Sequence, residues 1–462
     1  MKKFLTPLVA AMLCVVVLFC GCFEGEPGRD GRDGKDGQNL TIQSAYEKYV
    51  EEYGEISYED FLYKFFSYTN EELDDMAGLQ ATINRSLMSG VSILTRFTYS
   101  SSVQSSIPGL QSNRREYKVY TGSGAIIWLD KSAGDAYVVT NCHVVYDDTS
   151  DEKIATDVRL YLYGQDESGT NFVIDAANNI QGDENYKIEA EVISASVSYD
   201  IALLKVENSE VIKRSDAVAA SFSQETDVYV GEFVYAVGNA SGEGLSASDG
   251  RISRDSEYIK VGLSDADKTK TNEYRVLRTT APINHGNSGG ALFNSRGEII
   301  AVVNAKDEGD DIDNMGYALP ANNVRRLLKL MYDEYAANGK TFKGNGINKA
   351  MLNISTTVSD SYSVYNFEKG RAEITETVKV AKVTDRPARD RLYEGDIIKA
   401  IKITDAAGTV KEDMTVTRRY QVPDCMLSVR KNDTVTLTIE RGGEEQEVAI
   451  AFTSDNFFKS YA

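Results

Sequence analysis

Histidine is nearly missing from this sequence: two occur in 462 residues, beside one tryptophan, seven prolines and five cysteines. Two histidines exclude a multi-histidine metal centre and argue against zinc, whose usual ligand sets draw on His and Cys together. No metal and no cofactor are expected. General-base chemistry near neutral pH, if it uses imidazole, has only His143 and His285 to draw on. Positive charge is short as well. Fifty Lys+Arg face seventy Asp+Glu, for a net charge of −20, which excludes nucleic acid because phosphate neutralisation needs clustered basic side chains. Cys142 and Cys425 lie in different parts of the chain and the other cysteines crowd the N-terminus, so no disulfide scaffold is expected. What remains is 42% apolar and 26% charged, the balance of a globular protein with a real core.

The N-terminus reads as an export signal. Lys2 and Lys3 precede an uncharged run from Phe4 to Phe19, shorter than the ~20 residues of a membrane span and fitting a signal segment. Leu18-Phe19-Cys20-Gly21-Cys22 resembles the lipobox of bacterial lipoproteins. The resemblance implies a signal peptide over 1–21 and lipidation of Cys22, which would hold an exported bacterial protein at the outer face of the cytoplasmic membrane. The alternative is an uncleaved signal anchor. Residues 22–39 contain five Gly-x-y triplets, the collagen period. They read as a polar spacer, with trimerisation the competing reading. Residues 40–77 carry the capping patterns Ser44-x-x-Glu47, Ser57-x-x-Asp60 and Thr69-x-x-Glu72, and predict a short helical neck.

From Val91 to Pro320 the chain breaks into short β-type runs: Ala125–Trp128, Tyr137–Thr140, Val158–Tyr163, Val228–Val230, Phe233–Val237 and Ile299–Val303. Many short strands over this length predict one large all-β domain. A helix around Val324–Tyr332, ended by Asn338-Gly339, closes it. A second β-rich unit follows. A helix is expected at Asp424–Arg430. A hairpin is expected from Val435–Ile439 through Arg441-Gly442-Gly443 to Val448–Phe452.

Three segments break the rule that strands bury apolar residues. Val138-Val-Thr-Asn-Cys-His143-Val-Val145 sets a histidine in a strand-like apolar run. Taken alone it reads as a satisfied core histidine. Asp200-Ile-Ala-Leu-Leu204 opens an apolar strand with a carboxylate, which needs a partner if it is buried. Ile283-Asn-His-Gly-Asn-Ser288-Gly-Gly-Ala-Leu292 sets a serine among glycines just before a strand. Such a turn lets the backbone take unusual dihedrals and aim successive N–H groups at one point. The chain order His143, Asp200, Ser288 is that of chymotrypsin-like proteases and differs from the orders of subtilisins and α/β-hydrolases.

At these residues the chain resembles the HtrA/Deg serine proteases. Thr140-Asn-Cys-His-Val-Val, Asp200-Ile-Ala-Leu-Leu-Lys-Val and Gly286-Asn-Ser-Gly-Gly-Ala-Leu look like that family's three signature blocks. Gly122-Ser-Gly-Ala, Ala236-Val-Gly-Asn-Ala, Gly250-Arg-Ile-Ser and Gly316-Tyr-Ala-Leu-Pro320 fit further stretches in order. The resemblance covers roughly 85–335. It implies a mainly β protein: two six-stranded antiparallel barrels of trypsin type over 78–340, with the site between them. Arg386-Pro-Ala388, Leu392-Tyr-Glu-Gly-Asp396 and Val435–Arg441 resemble a PDZ domain, implying a PDZ-like α+β unit over 346–455.

The resemblance also implies roles. Ser288 is the nucleophile, His143 the general base and Asp200 its orienting carboxylate, while the Gly286 and Ser288 N–H groups hold the oxyanion. His285 reads as a loop residue, Cys142 as a buried small residue, and the acidic loop Asp307–Asp313 as solvated rather than Ca²⁺-binding. The implied partners are unfolded or damaged exported proteins, the membrane through Cys22, and further copies of the chain, since members of the family are often trimers. The rival reading is a non-catalytic peptide-binding or chaperone protein that uses its PDZ-like unit.

Overall fold

The computed structural model describes residues 50–51, 54, 75–104, 111–166, 172–183, 185–225, 228–262, 271–306, 315–340 and 348–459. The expected signal peptide, Cys22, the Gly-x-y spacer, nearly all of the helical neck and the acidic loop at 307–313 lie outside the described residues. The chain divides into two compact units, Met1–Asp75 and Met76–Ala462. Among the described residues no helix is long and apolar enough to cross a membrane.

Helix α1 (Asp75–Leu87) leads into a seven-stranded antiparallel sheet. Its strands are β1 (Gly90–Gln104), β2 (Gln111–Asp130), β3 (Asp135–Thr140), β4 (Asp157–Leu162), β7 (Ile188–Glu189), β8 (Glu191–Ser196) and β9 (Ile201–Val206). A small ribbon of β5 (Phe172–Ile174) and β6 (Ile180–Gly182) stands apart. The strand order is β7-β4-β1-β2-β3-β9-β8. The two end strands, β7 and β8, are separated in sequence by Ala190 alone, so the sheet curls until its ends come together. The seventh strand is one more than expected, and it arises where the chain bends at Ala190, whose N–H bonds Val158 O at 3.1 Å.

A closed six-stranded barrel follows, β10-β11-β12-β15-β14-β13. It is built from β10 (Phe233–Gly238), β11 (Ser246–Gly262), β12 (Thr271–Thr279), β13 (Ala291–Asn294), β14 (Ile299–Lys306) and β15 (Gly316–Pro320). The run Val228–Val230 is not a strand. Glu232 N–H bonds Tyr229 O at 3.2 Å, and the resulting turn carries Gly231 at φ +93°.

β9 shows why an apolar run was needed at Ile201–Val206. Ile201 and Leu203 enter one buried cluster with Tyr235, Phe293 and Val302, while Ala202, Leu204 and Val206 enter another with Ile93, Val138 and Val145. Successive side chains of a strand point to opposite faces, and here both faces meet core, so alternation with polar residues would bury unpaired groups. Helix α4 (Ala321–Ala337) follows two short helices, α2 (Cys142–Val145) and α3 (Glu210–Arg214), and ends at Asn338 as expected. It packs Val324, Leu327, Leu328 and Met331 into the first of those clusters.

The C-terminal sheet has the order β17-β18-β19-β21-β22, with β20 paired to β19 and a separate β16–β23 pair. The strands are β16 (Asn348–Ala350), β17 (Ile354–Asn366), β18 (Arg371–Val383), β19 (Ile397–Thr404), β20 (Val410–Thr415), β21 (Thr434–Arg441), β22 (Glu444–Ala451) and β23 (Phe457–Lys459). The hairpin lies where the alternation placed it, with Val435 opposite Ile450 and Arg441 opposite Glu444. The helix, α5 (Gln421–Met426), starts earlier than Asp424. Gln421 Oε1 accepts the Thr417 and Arg418 N–H groups at 2.8 and 2.9 Å and sets the start, and Pro423 sits in the first turn, where a missing N–H costs nothing. Asp396, 1% exposed at its side chain, takes Arg441 Nε and Nη2, each at 2.7 Å. Burial alone would raise its pKa, but these bonds and Arg441's charge pull it below the ordinary carboxylate value.

Candidate active site

His143 lies not in a strand but on the single helical turn α2, directly after β3. The turn buries Cys142, Val144 and Val145 and leaves the imidazole half exposed, at 50% of its side-chain surface. Asp200 stands one residue before β9 in the left-handed region at φ +50°, which costs most L-residues energy and which Asp tolerates better than most. Restraints are present. Asn141 Nδ2 donates to Asp200 O at 2.8 Å, and the His143 N–H donates to Asp200 Oδ1 at 2.9 Å. His143 Nδ1 meets Asp200 Oδ2 at 2.7 Å. The buried carboxylate therefore has the partner that its sequence position demanded.

Ser288 sits on the turn between β12 and β13. Gly286 and Gly289 have φ of +94° and +85°. A β-carbon at Gly286 would stand 2.1 Å from Asn239 O, and one at Gly289 2.2 Å from Ser123 O, so both positions require glycine for backbone angle and for space. The turn is stitched to β2: Ser123 N–H bonds Ser288 O at 2.9 Å, and Ser123 Oγ bonds Gly286 O at 2.6 Å. The Asn287 N–H is taken by Asn284 O at 3.1 Å. Among the described residues, neither the Gly286 nor the Ser288 N–H donates to a protein group. The two donors that a developing oxyanion would use are therefore unspent. His285 is exposed, and its carbonyl is held by the Ser241 N–H at 2.6 Å.

The Ser288 hydroxyl donates to Asn304 O at 3.2 Å. Asn304, 2% exposed at the end of the apolar run in β14, is a residue that reading the sequence missed. Its Nδ2 donates to Asp200 Oδ2, and its Oδ1 accepts the Tyr274 hydroxyl at 2.9 Å. One side chain thus joins the carboxylate to the strand that also carries the serine's acceptor. The signal was available: an amide closing the run Ile299–Val303 is the same anomaly that singled out Asp200. Removing it as Asn304→Ala should lower kcat roughly 10²-fold, the scale of a small misplacement of reacting groups, with KM little changed in steady-state peptide hydrolysis. An unchanged kcat would show that Asp200 holds its place without it.

The electrostatics favour a basic imidazole. Burial works to lower the His143 pKa, but the charge of Asp200 and its hydrogen bond outweigh it, and the net direction is upward. Cys142, 1% exposed, has its thiol pushed well above the ordinary value by burial and then by the Asp200 charge. It is not a thiolate nucleophile. Among the described residues no group of His, Cys, Asp and Glu could hold a metal ion.

A mainly β fold with few helices, an Asp–His pair and a serine on a glycine turn are the features in which this chain is similar to trypsin-like serine peptidases. Residues 122–302 match the family model of the trypsin-like peptidase domain. The serine protease Do-like HtrA of Bacillus subtilis (strain 168) is 29% identical over 227 residues, covering 49% of this chain and 42% of that protein. The serine protease Do-like HtrA of Lactococcus lactis subsp. lactis (strain IL1403) is 29% identical over 332 residues, covering 70% of this chain and 68% of its own. A solved structure, the HtrA-type protease AlgW with decapeptide, is matched over 81% of this chain and 97% of its own at 19% identity, with a TM-score of 0.48. By these sequence matches the chain is similar to serine proteases of the HtrA type. The chain spans less than half of the Bacillus relative's length.

Proposed function

We propose that this chain is an exported, membrane-tethered serine endopeptidase of HtrA type that cleaves unfolded or damaged extracytoplasmic proteins through an acyl-enzyme. The observation that carries the reading is the 2.7 Å contact of His143 Nδ1 with Asp200 Oδ2 beside a glycine turn whose Gly286 and Ser288 N–H groups are unspent. A rotation of Ser288 from the Asn304 carbonyl toward the imidazole would start the reaction. Ser288 Oγ attacks the scissile carbonyl, and His143 takes its proton. The C–O bond forms as the carbonyl electrons move onto oxygen, where the two N–H groups receive them. His143 then gives the proton to the leaving amine as the C–N bond breaks, and water repeats the sequence to release the acid. Asp200 keeps the proton of neutral His143 on Nδ1 and stabilises the imidazolium.

The proposed organisation is a signal peptide over 1–21, lipidation at Cys22, a spacer over 22–39, a helical segment over 40–77, a peptidase domain over 78–340 and a PDZ-like domain over 346–455. Taking 188–196 as one bent strand turns the first sheet into a six-stranded barrel, the partner of the closed one. The Gly395-Asp396 turn, α5 and the β21–β22 hairpin support the PDZ-like reading of the last sheet. Assembly as a homotrimer is part of the proposal.

Two measurements test it. A serine-reactive phosphonate probe should label the wild-type chain and spare Ser288→Ala, and the wild type should cleave casein. Equal labelling of both proteins and intact casein would favour the rival, a peptide-binding protein. In cells, Cys22→Ser should lose incorporated fatty acid and leave the membrane fraction. Retention there with the N-terminus uncut would point to a signal anchor instead.

A further inference from the structure

We infer that Asp424, in the C-terminal sheet unit and far outside the matched peptidase stretch, is a positioning residue for the His143–Asp200–Ser288 site. This rests on the catalytic reading above. Asp424 lies on α5 with its side chain 11% exposed, against Arg275 of β12 at 6%. Arg275 Nη1 donates to Asp424 Oδ2 at 2.6 Å, and Asn323 Nδ2 of α4 donates to Oδ1 at 2.9 Å. The guanidinium is held from other sides too: Nε bonds Ser256 Oγ at 3.2 Å, Nη2 bonds Asp255 O at 3.0 Å, and the Tyr420 ring centre lies 3.6 Å away. Nearby Leu427 enters the same buried cluster as Leu328 and Met331.

What matters is which residues stand next in the chain. Arg275 follows Tyr274, whose hydroxyl holds Asn304, which holds Asp200. Neighbours on a strand point to opposite faces, so β12 turns one side chain to the C-terminal unit and the next to the site. Asp424 thus bears on β12, the strand whose Tyr274 hydroxyl holds the Asn304 amide that supports the carboxylate.

A second ion pair between the same parts supplies the control. Arg326 of α4 donates from Nε and Nη2 to Glu412 at 3.0 Å each, and neither residue adjoins a group of the site. The full-length chain should be assayed on a fluorogenic peptide, with the melting temperature of each variant recorded. Asp424→Asn should lower kcat about tenfold at nearly constant KM, since a small misplacement of reacting groups is felt in the chemical step. Arg275→Gln should do the same. The double variant should be no worse than the poorer single one, Arg275→Lys should keep most of the rate, and Glu412→Gln should stay within about twofold of wild type. Wild-type kcat in folded Asp424→Asn and Arg275→Gln, or an equal fall in Glu412→Gln, would overturn the inference alone. A wild-type chain without turnover would overturn the catalytic reading and this inference with it.

Discussion

Ser288→Ala is expected to lower kcat roughly 10⁶-fold, about 8 kcal/mol of lost transition-state stabilisation. The size follows from what the hydroxyl alone can do. The other candidate nucleophiles around it are engaged: Cys142 is buried with its thiol held protonated, and the Ser123 and Thr140 hydroxyls donate to the Gly286 and Ser123 carbonyls. His143→Gln should cost nearly as much, and the double variant no more than either single one, because serine and imidazole act as a unit and neither works without the other. The residual rate should stay measurable, since the Gly286 and Ser288 N–H groups are backbone donors that both substitutions leave in place. His285→Ala is the contrast. It is exposed and stands three residues before the nucleophile, so its turnover should stay within several-fold of wild type. Steady-state kinetics on one peptide substrate measures all four. A Ser288→Ala protein with more than about a hundredth of the wild-type rate would exclude the acyl-enzyme route.

Asp200→Asn should lower kcat about 10⁴-fold with the fold intact. An amide can turn its NH₂ toward Nδ1, which selects the tautomer whose proton lies on the wrong nitrogen for a base facing Ser288. The pH dependence carries a sign that can be checked independently. In the wild type the net shift of His143 is upward, with burial opposing and Asp200 prevailing. The base is neutral only above its pKa, so the acid limb of kcat/KM should lie above the ordinary histidine value of about 6.5. In Asp200→Asn both raising causes lose the negative charge while burial stays, and the limb should move below that value. Stability runs the other way. A histidine raised in the folded state contributes its stabilisation in full below its unfolded pKa and loses it as pH rises through the folded one. The pair should therefore steady the fold most in mild acid, where the enzyme is least active. An acid limb unmoved by the substitution would show that another group controls it.

The anomalies visible in the sequence marked the site well. His143, Asp200 and Ser288 each interrupted an apolar or glycine-rich pattern, and in the structure His143 and Asp200 are bonded directly while Ser288 joins them through Asn304. The apolar run after Asp200, the hairpin register at Val435–Ile450 and the stop of α4 at Asn338 were legible because each depends on local periodicity or local turn chemistry. Val228–Val230 misled because a three-residue apolar run carries no information about the turn that ends it. His143 was expected in a strand because Val144 and Val145 are apolar, but a one-turn helix buries apolar residues equally well. Asn304 was passed over although it breaks its strand just as Asp200 does.

By itself the sequence determined which residue types could do chemistry here: scarcity left two imidazoles, and patterning left one serine that its neighbours could not explain as packing. Only the tertiary structure decided which groups hold them. Asn304 and Tyr274 come from the closed barrel, Ser123 from the first sheet and Asp424 from a helix, and the side-chain bonds Tyr274–Asn304, Asn304–Asp200, Arg275–Asp424 and Ser123–Gly286 span 30 to 163 residues of chain. A hydrogen bond across such a distance depends on how strands register and how sheets close. Those outcomes are set by the burial of the whole core, not by any stretch of sequence near the residues concerned.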